Sequence, residues 1–292
     1  MQLMAPLLAL ASMIPLTAAE LKVDHVTVAG RSVAEMQKAF DRVGIVTEFG
    51  GPHSNGLTEM AIASFPDGSY LELIGPQPGA NVKTHYWGRF MENNGGACAW
   101  AVSVEAIEPE AERLKRAGIT TNPSRSGRRR PDGFELKWIT AAVGPGPQGS
   151  FFPFLIQDET PRERRAWPKG KPSAPQFDGV ALVVIAVRDL DSAVSKWRAG
   201  FGLAEPQRQG DPAFGASLAW FAGTPVVLAA PQGRESWLAD RLNEFGEAPC
   251  AFVLKSRLSR SAGKLAPASW FGHRVAWVED ASLQGARIGV EN

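Results

Sequence analysis

Lys22–Ala29 (KVDHVTVA) alternates apolar and polar positions, the period of a half-buried strand. Ser32–Val43 sets Val33, Met36, Ala39, Phe40 and Val43 at i, i+3, i+4 spacing, which predicts an amphipathic helix with Ser32 as N-cap. Ile45–Phe49 reads as a second strand, followed by a loop of Gly, Pro, His and Asn. Met60–Phe65 and Tyr70–Ile74 flank Pro66-Asp67-Gly68-Ser69, a hairpin signal built from turn residues. The order is β-α-β-β-β.

That pattern returns. Ala97–Val104 is a strand, Glu108–Ala117 a helix, and the turn Arg130–Gly133 leads into Phe134–Ile139, with Ser150–Gln157 closing the module. A third module runs through Val180–Val187, the helix Asp191–Ala199, and the hairpin of Ala216–Phe221 with Val226–Ala229. A shorter fourth contains Ala251–Leu254, Val275–Val278 and Ala286–Val290. GGACAWAVSV around Cys98 is similar to EAPCAFVLKS around Cys250, an offset of 152 residues. SVAEMQKAF from Ser32 is similar to DLDSAVSKW from Asp189, an offset of 157 residues. Near-equal offsets in separate segments point to duplication of a two-module unit. The expected units are residues 20–158 and 177–292, joined by a Pro-, Lys- and Arg-rich linker over 159–176.

Composition changes this picture little. Of 292 residues, 44% are hydrophobic and 21% charged, which is ordinary for globular protein. The 31 basic and 30 acidic side chains nearly cancel, so nothing in the charge balance implies nucleic acid. The basic runs Arg128–Arg130 and Arg162–Lys171 read as solvated loops. Residues 1–19 carry no charged side chain and end in Thr17-Ala18-Ala19, as a cleavable signal peptide does. The mature chain is therefore expected to be exported, periplasmic or secreted, to start near Glu20, and to carry no transmembrane span. Cys98 and Cys250, the two cysteines, each sit in a strand-like run and read as buried free thiols.

KVDHVTVAGRSV, TEMAIASFPDGSYLELIG, RRRPDGFELKW and SFFPFLIQDE occur in order and together resemble the glyoxalase-like domains of the vicinal oxygen chelate superfamily. The resemblance covers Leu21–Glu159; the second half is similar in pattern alone. It implies an α+β fold in which tandem βαβββ modules pair into cup-shaped mixed β-sheets, in two units. In metal-dependent members the first strand of a module offers a His and its last strand a Glu. The matching positions are His25 and Glu72, and the implied cofactor is one divalent metal: Zn, Mn, Fe or Ni.

The residues make that pair reasonable on their own terms, since a carboxylate within YLELIG is expensive to desolvate without a partner. A plain alternative has Glu72 paired with an Arg and His25 bonded to a backbone carbonyl. A metal site normally takes three protein ligands, and the sequence departs from that pattern. ACAWAVSV and FDGVALVV hold no His, and TPVVLAAP holds no carboxylate. His25 and Glu72 are a half-site unless His53, His85 or Gln157 completes it. Trp87, Trp100 and Phe154 are candidate apolar walls of a ligand pocket, His53 and His85 lie in loops suited to its rim, and Arg128 and Arg130 suit an anion. His273 reads as structural.

Two functions remain open. One is a metal-assisted lyase, isomerase or oxygenase with Glu72 as general base, its pKa raised by burial. The other is a non-catalytic protein that holds a small organic molecule, an anion included, in the same cup. The second unit, which lacks ligand candidates, would pack or dimerise. No GxSxG, HExxH, CxxC or Walker pattern occurs, so hydrolase-triad, zincin and nucleotide chemistries have no support.

Overall fold

The computed structural model describes residues 20–130, 132–257, 267–278, 283 and 285–291. The signal peptide expected over residues 1–19 lies outside them. The first unit comprises β1 (Val23–Ala29), α1 (Val33–Arg42), β2 (Glu48–Pro52), β3 (Thr58–Ser64), β4 (Tyr70–Pro76), α2 (Gly88–Glu92), β5 (Gly96–Ser103), α3 (Ile107–Arg116), β6 (Thr121–Arg129), β7 (Glu135–Val143) and β8 (Phe154–Asp158). They form one curled eight-stranded sheet in the order β2-β3-β4-β1-β5-β8-β7-β6. β1 runs parallel to β4 and β5 parallel to β8, while β1 and β5 join antiparallel at the centre. Each half is thus a βαβββ module, and the two make the cup.

After α4 (Arg162–Ala166) the second unit follows with β9 (Phe177–Ala186), α5 (Leu190–Phe201), β10 (Gln207–Asp211), β11 (Ala216–Trp220), β12 (Val226–Pro231), α6 (Trp237–Phe245), β13 (Pro249–Ser256), β14 (Pro267–Trp270), β15 (His273–Trp277) and β16 (Ile288–Glu291). Its sheet order, β10-β11-β12-β9-β13-β16-β15-β14, repeats the first position for position. Among the described residues no helix is long and apolar enough to cross a membrane.

Local chemistry explains the elements. Ser32 caps α1 by accepting from the Glu35 amide, and the helix buries Val33, Met36, Ala39 and Phe40 as its spacing requires. The β3–β4 turn needs Gly68, whose φ is +84° and whose missing Cβ leaves room for the Arg162 side chain. Outward-facing residues of both sheets share one core, where Val26, Leu71 and Leu73 meet Val183, Leu228 and Phe252 beside the helices. Arg241 of α6 strengthens that junction from a buried position, donating to the carbonyls of Gly95 and Pro249. Cys98 and Cys250 are buried and free.

Three expectations change. The second strand starts at Glu48 rather than Ile45, because Ile45 is drawn into the core. The segment 159–176 connects the units, yet it is not a solvated linker. Arg165, Ala166 and Ala174 are buried, and Trp167, packed beside Met60, Ile62 and Tyr70, donates to the Phe65 carbonyl. Arg128, expected in a solvated run, is buried as well.

Candidate functional site

Strand alternation decides what faces the first cup. On β4, Tyr70, Glu72 and Ile74 line its cavity, while Leu71 and Leu73 enter the core behind. The same parity turns His25 of β1, Phe154 and Ile156 of β8, Trp138 of β7 and Arg128 of β6 inward. The open cavity has a volume of about 280 Å³, just under the ~300–1,000 Å³ typical of ligand sites.

Glu72 stands on this concave face with three neighbours. Thr27, its partner across the β1–β4 register, donates to Oε2 at 3.1 Å. His25 Nε2 is 3.8 Å from Oε2, and His53 Nε2 is 3.5 Å from Oε1. Burial alone would raise the carboxyl pKa, but the hydrogen bond from His53, the charges of both histidines and the Thr27 hydroxyl outweigh it, lowering it to about 2. Glu72 is therefore ionised at neutral pH. The expected rise to base strength does not occur, because the neighbours win.

His25 is fixed from behind. A register shift between Val23 and His25 against β5 leaves Asp24 as an extra, unpaired residue. The bulge brings the Asp24 carboxylate beside its neighbour, 2.6 Å from His25 Nδ1. Burial pushes the Asp24 pKa up, but Arg165, the His25 hydrogen bond and Arg162 hold it well below the usual carboxylate range. An ionised Asp24 accepts only, so Nδ1 carries the hydrogen and Nε2 faces Glu72 and the cavity. Tyr70 stacks on the imidazole at 4.7 Å, and Phe154 meets it edge-on at 5.3 Å.

The cavity therefore gathers His25, Glu72, His53, His85, Trp87, Arg128 and Phe154. Three other sequence candidates lie elsewhere. Trp100 pairs with Val26, whose side chain faces the core, and it stacks on Trp197 at 6.2 Å between the units. Arg130 donates to the Arg164 carbonyl at 2.7 Å and ties the β6–β7 hairpin to α4. Gln157 accepts from the Ile107 amide at 2.9 Å and so caps the start of α3. Asp24, Arg162, Arg165 and Tyr70 were missed. Asp24 carried a signal, since a carboxylate inside an apolar strand demands a cation; Arg165, far along the chain, carried none.

The metal implied by the resemblance fails a test on the donors. The paired module places Ala101 and Phe154 in the register that His25 and Tyr70 occupy, and Ile156 two residues on, where Glu72 stands after Tyr70. His85 Nδ1 accepts from the Trp87 amide, Gln157 serves α3, and His53 is engaged at both ring nitrogens, Nδ1 with the Thr58 hydroxyl and Nε2 as a donor to Glu72. Among the described residues, no three His, Cys, Asp or Glu side chains form a group able to hold an ion. The residues do not fit the family's metal site. Elemental analysis of the purified full chain is expected to find Zn, Mn, Fe and Ni far below stoichiometric amounts. A stoichiometric ion that survives dialysis would show the donor reading wrong.

Side chains of its own occupy part of the second cup. Phe214 packs against Trp270 and Trp277 at 5.0 and 4.9 Å, and Trp270 Nε1 donates to Asp211 at 2.6 Å. His273 pairs with Glu291 at 3.0 Å near the rim, beside a hollow bordered by Trp220 and Phe271.

Over residues 23–201 the chain matches the family described as glyoxalase-like domain. No curated protein matches it. A hypothetical protein from Staphylococcus aureus superposes with TM-score 0.64 at 16% identity, covering 93% of this chain and 99% of that one. A mutant of 4-hydroxymandelate synthase from Streptomyces coelicolor gives 0.59 at 11% identity, covering 94% and 93%. At such identities these similarities show the two-unit fold alone.

Proposed function

Since the chain belongs to the glyoxalase-like domain family, we propose that its first cup binds a small organic anion and moves a proton on it, as a lyase or isomerase does. The observation that carries this reading is Glu72, an ionised carboxylate inside an aromatic-walled cavity, set between the Nε2 atoms of two histidines. Ligand pockets of this kind combine apolar walls with a few convergent polar groups.

In this reading His25 is the proton carrier. Asp24 holds the Nδ1 hydrogen, which leaves Nε2 to take a proton from a ligand carbon next to a carbonyl. Glu72 then stabilises the imidazolium, the role a buried carboxylate plays beside a catalytic histidine. His53 Nε2, on the other oxygen, is placed to protonate or polarise a ligand oxygen. Export of the chain, suggested by its leader, belongs to the same proposal.

Binding without chemistry has one observation in its favour. A carboxylate held at about 2 recognises ligand donors but is a poor base. The two readings separate in D2O. The full chain is incubated with small 2-oxo, 2-hydroxy and acyl acids, and proton NMR follows loss of the C–H signals beside the carbonyl. Proton transfer predicts protein-dependent exchange at least ~10-fold above background for some member of the set. Ligands that bind in the cup and exchange no faster than background would leave the holding function.

A further inference from the structure

β2 and β6 are the two edges of the first sheet. They meet through one side chain: Arg128 of β6 donates from Nη1 to the Gly50 carbonyl of β2, turning its guanidinium across the cup. Arg128 is 7% exposed and lines the cavity. A guanidinium has five N–H donors, and the Gly50 carbonyl is the one acceptor it meets among the described residues. No carboxylate there lies within 4.0 Å of it. The other arginine on the cavity wall, Arg165, differs in kind, because Asp24 and Asp158 neutralise it. Glu72 attracts it from across the cavity without pairing with it, and a buried cation without an ion-pair partner is costly, which leaves Arg128 as the open cationic position of the cup.

We propose that Arg128 is the anion receptor of this cavity and that its ligand is a monocarboxylate with an apolar body. The planar fork of a guanidinium matches a carboxylate in two parallel hydrogen bonds. A dianion such as phosphate would find a single free cation and would face Glu72 across the same small space. The body of the ligand lies against Trp138, Phe154 and Ile156, and Ser124 and Ser126 flank Arg128 on β6. The proposal rests on the first cup being the ligand site, but not on any reaction there.

The test is calorimetric titration of the full chain, in a phosphate-free buffer of low ionic strength, with benzoate, benzamide and inorganic phosphate. Benzoate has no exchangeable C–H beside its carboxylate, so it reads binding alone and is indifferent to failure of the proton-transfer proposal. The charge-assisted pair predicts benzoate at least ~10-fold tighter than isosteric benzamide, with phosphate weaker than benzoate. Arg128→Gln should bring benzoate down to the benzamide value, and Arg128→Lys should fall between. Because Arg128 also joins the sheet edges, the unfolding transition of each variant is recorded. The wild-type ratio of benzoate to benzamide needs no variant. Equal affinities, no benzoate binding up to ~10 mM, phosphate tighter than benzoate, or a preference that survives in folded Arg128→Gln would each overturn the proposal.

Discussion

Arg165→Met is expected to lower the unfolding free energy by about 3–5 kcal/mol, the cost of breaking a buried ion pair from one side. For a chain of this size that corresponds to a fall in Tm on the order of 10 °C. Arg165 is 3% exposed and makes five bonds: Nε and Nη2 to Asp158 at 2.6 and 2.9 Å, Nη1 and Nη2 to Asp24 at 3.0 and 2.7 Å, and Nη1 to the Tyr70 hydroxyl at 2.7 Å. Without it, Asp24 keeps only Arg162 and His25 as partners while fully buried. The pH dependence follows from the sign of the Asp24 shift. Its folded pKa is depressed, so its stabilisation is present above the unfolded value of about 4 and fades as the pH falls towards the folded one. In the variant, with its strongest cation gone, the folded pKa of Asp24 moves up towards the unfolded value, so its share of the stability lost on acidification should be smaller and should end at a higher pH. Denaturant melts between neutral pH and acid test both parts. A loss of under ~1 kcal/mol, as for an exposed pair such as Arg125–Glu159, would mean that Arg162 alone holds the bulge.

The second large effect concerns Glu72. Glu72→Gln keeps the shape and the Thr27 contact but removes the charge that faces both Nε2 atoms. A fixed charge opposite a developing imidazolium in a site of low dielectric is worth about 10²-fold in rate or more. Exchange of the ligand C–H in D2O should fall by that factor, while the benzoate affinity set by Arg128 holds or improves. His273→Ala, which disturbs an exposed pair in the second unit, should change neither. Equal losses from the two substitutions would move the functional site out of the first cup.

Much of this was legible in the chain, and the failures share a physical cause. The strands that bury a face on each side, β1, β4, β5 and β9, announced themselves by their apolar residues. β6 (TNPSRSGRR) and β10 (QRQGD) did not, because edge strands need little hydrophobicity and are protected by charge. β6 nonetheless carries Arg128, so the anion-facing wall of the cup was predicted as a loop. His25 and Glu72 came from pattern and resemblance, and the structure brings them together across adjacent strands. Their roles did not come with them. Asp24 reaches His25 through a bulge, and Arg165 arrives from a segment whose composition reads as linker; neither leaves a local periodic signal. Trp100 shows the opposite error, since aromatic character marks burial and register alone decides on which face.

Where a small organic acid binds is tested most directly by amide chemical-shift mapping of the full chain during titration with a mixed set of small carboxylic acids. The first cup predicts that the largest shifts fall on His25, Thr27, Tyr70, Glu72, Arg128 and Phe154. Shifts centred on Trp220, Trp270, Phe271 and His273 instead, with those around Glu72 unmoved, would contradict it.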